Sequence, residues 1–202
     1  MPRSGEAARQ RLQAAALDLY GEHGFDSVTA AEIAARAGVT ERTYFRHFAD
    51  KREVLFDGEE PLRDALSTAV QRAPRDLPPL PTLLSALLAA AVPRLEANRA
   101  LTVARHQVIS ASPALRERDL AKGESLTSAL AAALEQRGVG ERTARLAAEV
   151  GMVTWGQAVN VWLIEPLIPL ETHLTNEFDA LAELTRHIST ERDSTEELST
   201  RS

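Results

Sequence analysis

Cysteine is absent from the chain, which excludes a disulfide framework, a thiolate zinc site and a cysteine nucleophile. Aromatic residues are few and unevenly spread. Tyr20, Phe25, Tyr44, Phe45, Phe48 and Phe56 come early, leaving only Trp155, Trp162 and Phe178 for the rest. No run approaches the ~18 uncharged apolar residues of a membrane span, and Met1-Pro2-Arg3-Ser4-Gly5-Glu6 opens no signal-peptide core. A cytoplasmic protein without a membrane partner is expected. The histidines (His23, His47, His106, His173, His187) are scattered, with no pair at metal-ligand helical spacing. A phosphate loop, a Gly-rich dinucleotide fingerprint and a nucleophile elbow are all missing. The expectation is a non-enzyme with no catalytic residue, metal or cofactor.

What is present is helix-forming composition on a chain of 202 residues, enough for one or two domains. The net charge is −6, but residues 1–56 balance eight bases against eight acids, so the whole excess lies in 57–202. A general polyanion binder is thereby disfavoured, and any nucleic-acid surface must be local and near the N-terminus.

Alanine, leucine, glutamate and arginine dominate, and apolar–polar alternation bounded by turns is absent, so the fold class is all-α with about nine helices. The first helix is expected over 4–23, ending at Gly24, with Leu12, Ala15, Ala16, Leu19 and Tyr20 as its apolar stripe. Thr29 with Glu32 forms a capping box that opens a second helix ending at Gly38. Thr40 caps a third, and Asp50 with Glu53 opens a fourth that is expected to run to about 72. The proline-rich stretch 73–81 marks a connection. Further helices are expected over 82–97, 99–110, 113–137, 141–165 and 170–189, followed by a polar tail, 190–202, expected to be disordered.

Residues 30–48 have the spacing of a helix-turn-helix. Ala34 is small where two helices cross, Gly38 can take the positive φ of the turn, and Ile33 and Val39 fix the crossing angle. The second helix offers Arg42, Thr43, Arg46 and His47, whose donors suit phosphates and base edges in a major groove.

The longer run carries more. Leu12-Gln13-Ala14-Ala15-Ala16-Leu17, Gly24-Phe25, Thr29, Glu32-Ile33-Ala34, Gly38-Val39-Thr40, Thr43-Tyr44-Phe45-Arg46-His47-Phe48 and Lys51 closely resemble the N-terminal domain of TetR-family repressors. The resemblance is continuous from about Arg9 to Leu55 and only architectural beyond residue 56. It implies that Thr29 and Thr40 hold backbone phosphate at helix starts, that Thr43 meets backbone or a base, and that Lys51 anchors phosphate. Arg42, Arg46 and His47 then choose the operator. Phe45 stands where the family usually has a phosphate-bonding tyrosine, so Tyr44 either supplies that hydroxyl or belongs to the core.

For the remainder, the resemblance implies a small-molecule cavity and dimerisation through the last two helices. The sequence offers its own support for a homodimer. The 141–165 helix is apolar on two opposite sides: Leu146, Val150, Val153, Val161 and Ile164 on one, Met152, Trp155, Val159 and Trp162 on the other. Burial on both sides asks for a partner or, as the alternative, a wholly intramolecular core. The final helix adds Leu170, Leu174, Phe178, Leu181, Leu184 and Ile188, and the expected dimer residues are Val159, Trp162, Leu174, Phe178 and Leu181. With so few aromatics a cavity would be largely aliphatic, suited to an acyl chain or another small apolar compound. His106, Trp155, Gln157 and Asn160 are the candidate ligand contacts.

The expectation is a DNA-binding domain over 1–56, a ligand-binding and dimerisation domain over 57–189, and a ligand-responsive repressor of a pseudo-palindromic operator. The alternative is a ligand carrier or interaction protein of the same fold that does not read DNA.

Overall fold

The computed structural model describes residues 3–199, with side chains over 5–186. These residues form α1 (Arg3–His23), α2 (Ala30–Arg36), α3 (Glu41–His47), a 3-10 turn (Glu53–Leu55), α4 (Glu59–Arg72), α5 (Pro79–Ala90), α6 (Val92–Ala97), α7 (Arg99–Ala111), α8 (Pro113–Gln136), α9 (Glu141–Ile164) and α10 (Leu170–Ser199). No strand occurs among the described residues, and the all-α expectation holds.

The chain forms two compact units, one of residues 1–63 with 97–126 and the other of 64–96 with 127–202. The first therefore recruits α7 and part of α8, beyond the helix-turn-helix segment itself. Its core joins the α1 stripe (Leu12, Ala16, Tyr20) to Ile33, Phe48 and Phe56, and Leu115 of α8 closes it. Ion pairs tie the elements together. Arg36 reaches Glu22 at 3.0 Å, Arg9 pairs with Asp57, and Arg118 bridges Glu53 and Glu59 at 2.9 Å each.

Three helix boundaries differ from the sequence expectation. The fourth helix does not run unbroken from residue 50. Asp50 Oδ1 accepts from the backbone N–H of Arg52 and Glu53, opening only a single 3-10 turn, because the Glu53 carboxylate is drawn to Arg118 instead of completing a capping box. Gly58, at φ 85°, then breaks the chain before α4. The helix expected over 82–97 is split at Ala91, just ahead of Pro93, whose missing N–H and fixed φ interrupt the ladder. The backbone from 190 to Ser199 continues α10 where the polar composition predicts an unstructured tail, and 200–202 lie outside the described residues.

Pro79–Ala97 has the length and mean hydropathy (1.3) to cross a membrane. It is, however, divided between α5 and α6 and buries Leu83, Ala86 and Leu87 in the second unit. There α9 packs on α5 and α10. The buried face of α9 is mainly a row of small residues, Ala144, Ala147, Ala148, Gly151, Thr154 and Ala158, with Trp162 the one fully buried member of the two large apolar stripes. The small residues let α5 approach closely, and a Cβ at Gly151 would stand 2.9 Å from Leu83 Cδ1. Arg137 seals the end of α4 by donating to the carbonyls of Val70, Ala73 and Pro74 at 2.7–2.9 Å. Glu96 Oε1 accepts from Leu170 N–H at 2.8 Å, capping the start of α10.

Candidate nucleic-acid interface

The helix-turn-helix is built from local codes. Thr29 Oγ1 accepts from the Glu32 backbone N–H (3.2 Å) while the Glu32 carboxylate accepts from Thr29 N–H (2.8 Å) and hydroxyl (2.7 Å). The box is complete, and those bonds hold the Glu32 carboxyl below its ordinary pKa. Ile33 and Ala34 are buried at the crossing with α3. Gly38, at φ 68°, turns the chain so that Val39 N–H reaches the Ala34 carbonyl at 3.0 Å. Thr40 Oγ1 accepts from Thr43 N–H at 3.2 Å and pairs with the Thr43 hydroxyl at 2.9 Å, opening α3.

The result is a seven-residue helix with one outward face, on which Arg42, Phe45 and Arg46 are exposed and Thr43 half-buried, lining a shallow hollow. Among the described residues neither Arg42 nor Arg46 has an ion pair, whereas Arg9, Arg36 and Arg52 of the same segment are tied to Asp57, Glu22 and Asp50. Of the acids in residues 1–56, Glu22 and Asp50 are thus paired with Arg36 and Arg52, and among the described residues none pairs with the α3 cations.

Three of the expected DNA contacts face elsewhere. Tyr44 is fully buried and its hydroxyl donates to the Asp50 carbonyl at 3.0 Å. Burial raises its hydroxyl pKa, and the charge of Asp50 adds to that. It is a core residue, which decides the alternative left open by the sequence, and the reason is helical phase: Tyr44 and Phe48 are four apart and their rings meet at 5.6 Å. Lys51 is not a free cation either. Its three N–H donors go to the carbonyls of Phe25 (2.9 Å), Asp26 (3.2 Å) and Val28 (3.1 Å), with the ammonium 4.3 Å from the Phe25 ring centroid. It stitches the connection after α1. His47 is half-buried beside Phe48 and near Gly5 of α1, its Nε2 buried without a hydrogen bond. What sequence reasoning missed is Phe45, 52% exposed. The signal was available, because only one of two adjacent aromatics can share a helical face with Phe48.

The candidate ligand contacts do not converge within either unit. His106 is exposed on α7, 3.4 Å from Ser110 Oγ, in the first unit. In the second, Gln157 and Asn160 are exposed on α9 and Trp155 is half-buried. Exposure on a helix surface leaves Gln157 and Asn160 no enclosed space to line. The expected dimer residues also need correction. Trp162, Leu174 and Phe178 are buried within the single chain (2%, 0% and 6% exposed), and Val159 and Leu181 are half-buried. It is the opposite side of α9 that stays open, with Leu146, Val153 and Ile164 at 60%, 69% and 77% exposed, joined on α10 by Leu184. Ile188 and His187 lie outside the described side chains. Among the described residues no three His, Asp or Glu side chains converge as metal ligands.

Residues 12–57 match the family described as bacterial regulatory proteins, tetR family. The HTH-type transcriptional regulator TcmR of Streptomyces glaucescens is 28% identical over 135 residues, which are 64% of this chain and 59% of TcmR. The chain thus spans about three fifths of that relative's length in the match. Among solved structures, the triclosan complex of SmeT, the Stenotrophomonas maltophilia repressor, superposes with a TM-score of 0.61 at 21% identity, covering 86% of this chain and 91% of that one. Thermus thermophilus FadR in complex with lauroyl-CoA gives 0.55 at 21% identity, covering 87% and 93%.

Proposed function

The chain carries the DNA-binding domain of the tetR family of bacterial regulatory proteins within a TetR-type fold, and from that premise we propose that it is a homodimeric, cytoplasmic repressor released from its operator by a small apolar effector. The observation that carries the DNA-reading part is the outward face of α3, where among the described residues neither Arg42 nor Arg46 has an ion pair. Each protomer presents that helix to a major groove, Arg42, Thr43 and Arg46 meeting base edges or phosphate and Thr29 and Thr40 lying at the flanks. The two recognition helices stand one helical turn apart, ~34–36 Å. Dimerisation is supported by the open apolar side of α9 and by Leu184 of α10, since Leu146, Val153 and Ile164 repeat at helical spacing and a second copy covers them.

SmeT holds triclosan and FadR holds lauroyl-CoA. For this chain an effector of the same apolar character is supported by the shortage of aromatic residues beyond Phe56. Such a ligand acts by preferring the conformation that does not fit two half-sites, and a complete switch needs ~5.5 kcal/mol of preference. Helices α4 and α8 each begin in the first unit and end in the second, which makes them covalent routes for that coupling.

The test is fluorescence anisotropy on duplexes from a random-sequence selection and on the DNA upstream of the gene, over several salt concentrations. Expected is tight binding to one pseudo-palindromic segment, weakening linearly in log salt. Equal weak binding to every duplex, with candidate ligands absent or present, overturns the repressor and leaves a carrier of the same fold.

A further inference from the structure

Six aromatic residues lie in the first 56, and five of them (Tyr20, Phe25, Tyr44, Phe48, Phe56) are buried, leaving Phe45 as the one ring on the surface. It sits in the middle of α3, three residues from Arg42 and next to Arg46, on the wall of the same shallow hollow. Its edge contact with Tyr44, centroids 5.4 Å apart at 82°, fixes the ring from below. The phenyl group has no donor or acceptor, so it gains nothing from phosphate or from the polar edges of guanine, cytosine or adenine. In a major groove the apolar group that a base offers is the thymine C5-methyl. The polar suppliers around it are also depleted, because the Tyr44 hydroxyl and the Lys51 ammonium are spent inside the domain.

We propose that Phe45 is a specificity-determining residue that reads a thymine methyl in each half-site, while Arg42 and Arg46 beside it supply hydrogen bonds and charge. The inference rests on α3 being the DNA-contacting helix. It gives the ring a function that a stray surface phenylalanine lacks, since single exposed apolar side chains are ordinary.

The experiment replaces thymine by deoxyuridine, one position at a time, in the duplex recovered from the random-sequence selection. This change removes the methyl and keeps every hydrogen-bonding group. Binding is measured by anisotropy at fixed salt for the parent, Phe45→Ala, Phe45→Tyr and Arg42→Ala. One thymine per half-site is expected to matter, its replacement weakening the parent about four-fold, the value of one buried methyl-sized group at ~0.8 kcal/mol. Phe45→Ala should bind the thymine and deoxyuridine duplexes equally. Phe45→Tyr and Arg42→Ala should keep the difference, though Arg42→Ala binds more weakly throughout. The melting temperature of Phe45→Ala checks that the exposed site tolerates the change. A recovered consensus with no methyl-sensitive position, or a sensitivity that survives in Phe45→Ala, overturns this inference and leaves the repressor standing. Recovery of no consensus at all overturns both.

Discussion

Helices α3 and α9 both leave folding with one face uncovered, and the two faces are opposites. The outer face of α3 is seven residues long, with two unpaired guanidinium groups around one ring. The outer face of α9 runs through twenty-four residues and shows Leu146, Val153 and Ile164. A cationic face is stable in water alone and gains when an anion displaces its counterions. An apolar face of that length gains only when something apolar covers it. The difference teaches that the open surfaces of this molecule suit different classes of partner, and the proposed function assigns nucleic acid to α3 and a second copy to α9.

Val153→Asp is the change expected to break the comparison most completely. It puts an uncompensated carboxylate from each copy into the apolar contact, at a cost of ~3–5 kcal/mol for a buried unpaired charge. Sedimentation should show the dimer dissociating at least about a hundred-fold more readily, with operator affinity falling alongside. A dimer of unchanged strength would place the contact elsewhere. Next in size is Lys51→Met, which removes three charge-assisted hydrogen bonds to carbonyls and should cost about 2–3 kcal/mol of stability in urea unfolding. If Lys51 were instead a phosphate anchor, stability would hold while the salt dependence of DNA binding flattened.

Arg46→Ala should weaken operator binding by ~1–3 kcal/mol and relax its selectivity, as read by anisotropy. Arg145→Ala on the surface of α9 removes a cation paired with Glu149 at 3.0 Å and should leave DNA affinity unchanged. Equal losses in both variants would mean that the charge is felt generally and not at α3. The smallest effect concerns Lys122 of α8, whose ammonium is pushed down to about 8 by burial and then by the charge of Arg105. An unfolded lysine titrates near ~10.4. Between these values the unfolded chain holds more protons, so this group makes stability rise with pH from about 8 to about 10. Tyr20 and Tyr44, raised chiefly by burial, act in the opposite sense above that range. Lys122→Met should flatten the rise and gain under ~1 kcal/mol at neutral pH, since the side chain is half-buried and partly screened. A rise that persists in the variant would assign it to another group.

Much of α1 to α3 was legible because its signals act within three or four residues. Thr29 and Glu32 are close enough to cap each other whatever surrounds them, and Gly38 needs only its own backbone freedom. The stop at Gly58 was legible too, since Asp57-Gly58 is a turn signal, but the capping pattern at Asp50 and Glu53 hides it until Arg118, 65 residues from Glu53, claims the second carboxylate. In α9 the large residues drew attention to two apolar sides. The side that α5 covers is marked by small ones, whose value lies in the close approach they allow and not in the area they bury.

From its sequence alone the chain determined helix by helix where most elements begin, which segment makes the helix-turn-helix, and that no strand is needed. Those are consequences of propensity, capping and period, all local. Only the tertiary structure decided that Tyr44 turns inward and Phe45 outward, that the Lys51 ammonium is spent on carbonyls 23–26 residues away, and which side of α9 stays open. A side chain's role at those places is set by what folding brings beside it, and distance along the chain does not encode that.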